Sequence, residues 1–290
     1  MRWIILLLVL VGCSGPAPDP TAPVADLTLQ RETTAGRLAY ELERDEEAVT
    51  QYRAALRRAQ ERDDLEVIGD IGYNLTVAEL RANAPDRALA DARATRAELE
   101  RRGATPFPAL LLAEATALYR TGALVEADQA AQPIQRAADP DAAARATFLR
   151  GLIADERGDE AGLSTAVEVL AAAKTQALEG DFAELAARLA LRRSDPVRAR
   201  QQAARAAELR QQTLDYRGLA RALAIEGVAA ERAGDDAAAD LFLRAGRSAA
   251  AQGDKADARK WLRRATSLAP GQPVGHDAAD LLRSFDQADE

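Results

Sequence analysis

Residues 242–270 read FLRAGRSAAAQGDKADARKWLRRATSLAP, and this stretch decides the fold. Gly253 lies near its middle and is followed by Asp254. Glycine accepts the left-handed conformation that ends one helix, and aspartate caps the start of the next. Small or apolar residues recur at helical spacing on both sides of this pair. The stretch therefore predicts two helices joined by a tight turn.

Breaks of the same kind punctuate the chain from about Leu27 onward. They lie mostly 15 to 22 residues apart, and the spacing clusters near 19. Each interval holds one helix and a short turn, so two intervals make a repeat of about 36 to 38 residues. Aromatic residues make up only 4% of the chain, which also favours helices over strands. The breaks are Asp45, Asp63-Asp64, Pro85-Asp86, Gly103, Gly122, Asp139-Pro140-Asp141, Gly158-Asp159, Gly180-Asp181, Asp195-Pro196, Asp215, Gly234-Asp235, Gly253-Asp254 and Gly271.

A repeat of this length, built from helical hairpins, resembles the tetratricopeptide repeat family. Residues 242–270 match the spacing of the family's characteristic positions. These positions are the first aromatic residue, the small residue where the helices cross, the turn glycine, three inward residues of the second helix and the closing proline. These are Phe242, Gly246, Gly253, Ala258, Leu262, Ala265 and Pro270. Elsewhere the match is partial, because most closing prolines are absent and Asp195-Pro196 replaces a turn glycine.

The resemblance implies an all-α protein, a right-handed superhelical α-solenoid of antiparallel helix hairpins with about 13–14 helices. This repeat domain is expected over residues 27–290, with a capping helix at about 274–288 that closes the core. Aromatic residues recur roughly once per hairpin and are expected to pack in the core rather than to form a ligand platform. They are Tyr40, Tyr73, Phe107, Phe148, Phe182 and Tyr216.

The N-terminus predicts export. Arg2 is followed by an almost wholly apolar run over residues 3–11, which is shorter than the roughly 20 residues of a membrane-spanning helix and is typical of a secretory signal. The sequence Leu10-Val11-Gly12-Cys13 resembles the lipobox of bacterial lipoproteins. The alternative is an ordinary secretory signal that contains a cysteine by chance.

The lipobox resemblance implies that residues 1–12 are a cleaved signal peptide and that Cys13 carries the lipid. Three acyl chains would then anchor the protein stably to a membrane. Residues 13–26 form a tether rich in proline, which cannot be helical. Ser14, rather than Asp, follows the cysteine, which in this family favours the outer membrane, with the protein facing the periplasm.

Composition removes several classes of function. The formal net charge of −8 gives no support to nucleic-acid binding. One cysteine and one histidine exclude zinc sites of the Cys/His type, and no metal or cofactor is expected. Nucleophilic triads need a histidine beside a nucleophile, and His276 is expected in an exposed loop or at a helix start. No phosphate-binding loop is present, so the chain is predicted not to be an enzyme and to have no catalytic residues.

Charge is distributed unevenly along the predicted solenoid. Residues 139–184 carry a net charge of −6, whereas residues 188–264 carry a net charge of +7. This asymmetry either orients an acidic partner or reflects two solvated faces of drifting composition. The candidate partner surface consists of Arg192, Arg193, Arg198, Arg200, Arg205 and Arg210.

Together these patterns predict a membrane-anchored periplasmic scaffold or adaptor that binds a protein partner through its helical repeats. Tetratricopeptide lipoproteins often assist the assembly of envelope machinery, and the resemblance implies a role of that kind. One alternative is a lipoprotein that binds a glycan or another small ligand, which requires exposed aromatic residues on the concave face. A second is an envelope hydrolase, which requires a pair of carboxylates in a cleft.

Overall fold

The computed structural model describes residues 26–136, 138–173 and 178–288 of the 290-residue chain. The predicted signal peptide, the lipobox, Cys13 and the tether up to residue 25 lie outside the described residues. Within the described part, the chain forms fourteen α-helices and one short 3₁₀ helix, and no strand. The predicted all-α helical-repeat solenoid is confirmed.

The helices follow one another at nearly regular intervals along the chain. In chain order they are α1 (Leu27–Glu41), α2 (Asp45–Glu61), α3 (Leu65–Arg81), α4 (Pro85–Arg101), α5 (Pro108–Arg120), α6 (Leu124–Ala131), the 3₁₀ helix Ile134–Arg136, α7 (Pro140–Glu156), α8 (Glu160–Ala173), α9 (Glu179–Arg192), α10 (Pro196–Gln212), α11 (Tyr216–Arg232), α12 (Ala238–Ala251), α13 (Lys255–Leu268) and α14 (Pro273–Ala288). None of these helices combines the length and the apolar character that crossing a bilayer requires.

A residue with positive φ marks most turns between the described helices. Six of these residues are glycines, and Gly253 has φ of 70°. At the other turns a residue with a side chain takes the same conformation, which explains why the glycine pattern is incomplete. These residues are Glu43, Asp63, Asn83, Ser194 and Leu214, with φ between 56° and 60°. The departures from the family's glycine pattern therefore change the turn residue and leave the hairpin intact.

The break predicted at Gly180-Asp181 was wrong. Helix α8 ends at Ala173, and α9 begins at Glu179, so both residues lie in the first turn of α9. An aspartate is favourable there because the N-terminus of a helix carries partial positive charge. The glycine lies beside the side chain of Arg210, whose Nε is 3.4 Å from the place of a Cβ. A Gly-Asp pair thus serves the start of a helix as well as it serves a turn.

Replacing Leu214 with glycine is expected to stabilise the protein by about 1 kcal/mol, because left-handed backbone costs a residue with a Cβ roughly 1–2 kcal/mol. The leucine side chain is 64% exposed, so its removal sacrifices little packing. Urea unfolding measures the change. Leu214→Ala is the control, since it removes the same side chain but keeps the Cβ. Equal effects of the two substitutions would contradict this explanation.

Helices that are neighbours in the chain pack against each other throughout the described solenoid. In addition, α3 contacts α5, α5 contacts α7, α7 contacts α9, and α9 contacts α11. These odd-numbered helices therefore form a continuous inner layer. Beyond α11 the pattern changes, and α12 contacts α14. Helices of the inner layer and α13 supply most of the candidate site described below.

Small residues let the helices approach closely. At Gly246 a Cβ would stand 2.6 Å from Leu262 Cγ, so α12 and α13 cross where only glycine fits. At the C-terminal end, Leu281, Leu282 and Phe285 of α14 pack against the last core cluster. Five of the six aromatic residues expected in the core are partly buried, but Tyr216 is 41% exposed, and that expectation was wrong. Tyr216 is the first residue of α11, directly after the turn.

Candidate functional site

An inner groove of about 1060 Å³ runs between α5, α7, α9, α11 and α13. The middle of its wall is apolar and comes mainly from α11, with Ala224, Ile225 and Val228. Phe242 and Trp261 also line the groove and are 3% and 7% exposed. The groove therefore offers a narrow apolar strip on α11, exposed mainly at the half-buried Val228 and flanked by charged side chains.

Cations outnumber acids along the groove. Its six basic residues are Arg188, Arg192, Arg221, Arg232, Lys260 and Arg264, and its four acidic residues are Asp155, Glu156, Glu231 and Asp257. Asp155 accepts hydrogen bonds from Arg188 Nη1 at 2.9 Å and Arg192 Nε at 2.8 Å. Arg232 Nη1 donates to the carbonyl oxygen of Leu191 at 2.6 Å. Lys260 is exposed, so the groove retains cationic groups that no carboxylate holds at hydrogen-bond distance.

A buried ion cluster beneath the groove holds two of these arginines in place. The side chain of Glu184 is 0% exposed. Its Oε1 accepts from Arg221 Nε at 2.8 Å and from Arg188 Nη2 at 3.2 Å, and its Oε2 accepts from Arg221 Nη2 at 3.0 Å. Arg210 reaches the same carboxylate at 3.6 Å. Arg221 and Arg210 also lie over the ring of Phe148, at 6.0 and 5.5 Å from its centroid.

The charge state of Glu184 follows from these contacts. Burial acts to raise the pKa of its carboxyl, but Arg221 and then Arg188 and Arg210 lower it more strongly, and the pKa falls to about 2. Glu184 is therefore ionised under all ordinary conditions. Arg221 remains charged too, since Glu184 raises its pKa against the effect of burial.

Two other residues of the groove have shifted pKa values. Burial raises the pKa of Tyr119, and a hydrogen bond that its hydroxyl donates to Glu156 adds to the shift, so this tyrosine is neutral at any physiological pH. Burial, followed by the nearby charge of Asp254, raises the pKa of Asp257.

A polar seam joins distant parts of the solenoid beside the groove. Asn83 Nδ2 donates to the carbonyl oxygen of Gly253 at 2.9 Å, across 170 residues of sequence. Arg217 Nη2 donates to the carbonyl oxygen of Arg81 at 2.9 Å, across 136 residues. The turn between α3 and α4 thus meets α11 and the turn between α12 and α13. The solenoid winds back on itself and bounds the groove on this side.

Arg120 lies in this seam, directly after the groove residue Tyr119. Its guanidinium donates to the carbonyl oxygen of Leu80 and to Asn83 Oδ1, which are both neutral acceptors. Burial, and then the charge of Arg217, lower its pKa to about 10. The seam therefore places a buried guanidinium next to the groove, while the neighbouring Arg217 pairs with Asp254 at 3.7 Å.

The six arginines predicted as a partner surface do not form one open patch. Arg192 lines the inner groove, and Arg198 is exposed on α10. The other four form ion pairs with neighbouring elements. The pairs are Arg193 with Glu160, Arg200 with Asp235, Arg205 with Glu179 and Glu208, and Arg210 with Asp181 and Asp215. Many of the arginines that give residues 188–264 their net positive charge therefore form ion pairs between successive helices.

Comparison with known proteins adds a likeness of architecture. No protein-family model matches the chain, and the search of curated proteins found no relative. Among solved structures, a tetratricopeptide repeat protein from Parabacteroides merdae is similar at 16% identity and a TM-score of 0.49, over 89% of this chain and 98% of that one.

Two further structures are similar over most of this chain. The Cut9–Hcn1 hetero-tetramer of the APC/C matches at 14% identity and a TM-score of 0.49, over 88% of this chain and 51% of that chain. PilF of Pseudomonas aeruginosa matches at 18% identity and a TM-score of 0.40, over 91% and 98%. At these values the likenesses describe arrays of helices and say nothing of ligands or partners.

The described residues were also searched for catalytic and metal centres. No cluster of His, Cys, Asp and Glu within them is arranged to hold a metal ion. Glu79 and Asp91 form a carboxylate pair around Arg53, and burial, followed by the charge of Asp91, raises the pKa of Glu79 to about 8. Glu79 is 0% exposed, however, and lines neither the groove nor the smaller cleft described below. His276 is exposed in the first turn of α14.

Proposed function

We propose that this protein is a lipid-anchored scaffold of the cell envelope that holds a segment of a partner protein in its inner groove. The anchor is Cys13, the tether is the proline-rich run that follows it, and the repeat domain faces the periplasm from the outer membrane. The partner segment carries acidic residues. The process served is the assembly of an envelope machine.

The inner groove is the observation that supports this proposal most. Its apolar strip on α11, exposed mainly at Val228, gives an apolar contact for a helix or an extended peptide, which buries side chains along one side. Its basic rim, with Lys260 and Arg232 free of carboxylate hydrogen bonds, favours acidic side chains at the edge. A groove of about 1060 Å³ also lies at the upper limit of the roughly 300–1,000 Å³ that is typical of small-molecule pockets.

Binding of a glycan receives less support. That function requires at least two aromatic rings exposed on the concave face. Of the three rings that line the groove, Tyr119 is half-buried, whereas Phe242 and Trp261 are buried. These rings belong to the wall of the groove and offer no stacking platform.

The proposal is tested by capture from envelope membranes with the full-length protein. We expect Cys13→Ala to abolish lipid labelling and processing, and to reduce capture of a membrane-associated partner. An unrelated lipoprotein is the control for adhesion to membranes. Unchanged lipid labelling of the variant would overturn the anchor, and a protein set identical to that of the unrelated lipoprotein would overturn the scaffold function.

A further inference from the structure

A second, smaller cleft arises where one outer helix is cut short. Helix α6 ends after eight residues, whereas α2, α4 and α10 have seventeen. Pro133 has no N–H to donate to the helical hydrogen-bond ladder, so the α-helix ends before it, although Gln132 keeps helical backbone, and a 3₁₀ turn follows. Helix α8 then lacks a full-length neighbour on this side. A cleft of about 500 Å³ opens there above α7.

The floor of this cleft is apolar. Ile153 and Ala154 of α7 and Ala166 of α8 are 1%, 8% and 5% exposed, and they line the bottom. Val169 is 48% exposed at the rim. Pockets for small molecules typically measure about 300–1,000 Å³ and combine such a floor with a few polar groups. The cleft is therefore shaped for a compact group with an apolar part.

Arg150 is fixed in the wall by a chain of hydrogen bonds. Its Nε donates to Asp128 Oδ1 at 2.6 Å, and its Nη1 donates to Gln135 Oε1. Gln135 Nε2 in turn donates to Thr147 Oγ1 at 3.0 Å. These contacts hold the guanidinium in one orientation, so Arg150 forms a fixed part of the cleft wall.

Positive charge in the cleft exceeds what its acids neutralise. Asp128 pairs with Arg150, while Asp159 Oδ1 accepts from the backbone N–H of Gly162 at 2.9 Å. Arg136 and Arg157 also line the cleft, and both are exposed and form no ion pair among the described residues. Two cations are thus left open at the mouth of a cleft that adjoins the most acidic part of the chain.

We propose that this cleft binds a small organic anion. A phosphate or carboxylate group lies between Arg136 and Arg157, and the apolar part of the molecule rests on Ala154 and Ala166 and against Val169. The guanidinium groups suit either head group, because their paired N–H donors match two oxygens at once. This site is separate from the inner groove and does not depend on the proposed scaffold function.

NMR titration of the full-length protein with phenyl phosphate tests the site. We expect amide shifts confined to the residues around α6, α7 and α8. Phenylacetate distinguishes a carboxylate from a phosphate source, and benzylamine is a cation of similar size that should not bind there. Inorganic phosphate alone should bind at least tenfold more weakly, because it leaves the apolar floor uncovered. A heptaglutamate peptide that bound this cleft more tightly than phenyl phosphate would overturn the small-ligand assignment.

Two kinds of variant distinguish the contribution of the arginine charges from that of the open space in the cleft. Arg136→Gln/Arg157→Gln should weaken phenyl phosphate binding at least tenfold, whereas the matched double variant Arg145→Gln/Arg198→Gln, on exposed arginines that do not line the cleft, should not. Val169→Trp should block the rim while every charge stays in place. The proposal fails if phenyl phosphate shifts amides elsewhere only, or if both arginine pairs affect binding equally. Unfolding midpoints of the variants verify that each remains folded.

Discussion

Replacing Glu184 with alanine is expected to destabilise the protein by about 3–5 kcal/mol, the usual cost of removing one partner from a buried ion cluster. Glu184 is fully buried and accepts hydrogen bonds from Arg221 and Arg188. Without its carboxylate, these arginines stay charged in a largely buried site that has lost its central anion. Urea unfolding at neutral pH measures the loss as a lower transition midpoint.

Glu208→Ala is the matched control for this prediction. Glu208 lies on α10 and pairs with Arg205 at 2.8 Å, but its side chain is 56% exposed. Exposed pairs contribute roughly 0–1 kcal/mol, so this variant should unfold almost like the parent protein. A cost for Glu184→Ala no larger than that of Glu208→Ala would show that the cluster does not stabilise the fold.

The ionisation of Glu184 also makes the stability of the fold depend on pH in the acidic range. The pKa of Glu184 is lowered to about 2 in the folded protein, below the value of about 4.5 for an unperturbed glutamate. A lowered pKa stabilises the fold above the unfolded value, and the gain is lost as the pH falls towards the folded value. The difference in stability between the parent protein and Glu184→Ala should therefore narrow as the pH falls from about 4.5 to about 2.

Filling the inner groove is expected to weaken binding of the captured partner at least tenfold, which corresponds to about 1.4 kcal/mol. Val228→Trp places a large ring on the apolar strip of α11, where the partner segment is proposed to lie. Val197→Trp is the matched control, because Val197 is 76% exposed on α10 and lies outside the groove. Surface plasmon resonance with the purified partner measures both affinities.

A second pair of variants keeps this test decisive if the tryptophan disturbs folding. Lys260→Glu and Arg263→Glu make the same change of charge on two exposed residues of α13, but only Lys260 lines the groove. We expect Lys260→Glu alone to weaken the binding of an acidic partner. Equal affinities for the two variants would place the partner elsewhere.

The repeat architecture was predictable because turns leave a strong mark in sequence. Gly253 and Asp254 end one helix and begin the next in the way their chemistry requires. Leu214 shows the limit of that reasoning, since nothing in a leucine predicts left-handed backbone, and only the regular spacing of the turns points to it. Gly180 misled for the converse reason, because a glycine does not always mark a turn, and this one lies in the first turn of α9.

The groove and its charges were harder to foresee. Glu184 and Arg221 resemble surface residues in sequence, and their burial depends on contacts between successive repeats. A signal existed nonetheless: Arg221 pairs with Glu184, Arg192 with Asp155, and Tyr119 with Glu156, each across 37 residues, which is one repeat. Complementary residues one repeat apart therefore indicate the inner layer. The contact of Asn83 with Gly253 across 170 residues follows no such period, because it depends on the curvature of the whole solenoid.

Site-specific photo-crosslinking tests the proposed groove most directly. A photoreactive phenylalanine analogue is placed at Lys260 or at Arg263 of the full-length protein, in intact envelopes. The two positions lie on the same exposed helix, and only the first lines the groove. We predict a protein adduct at Lys260 that Val228→Trp abolishes, and none at Arg263. An adduct at Arg263 without one at Lys260 would contradict the proposal that the groove holds the partner.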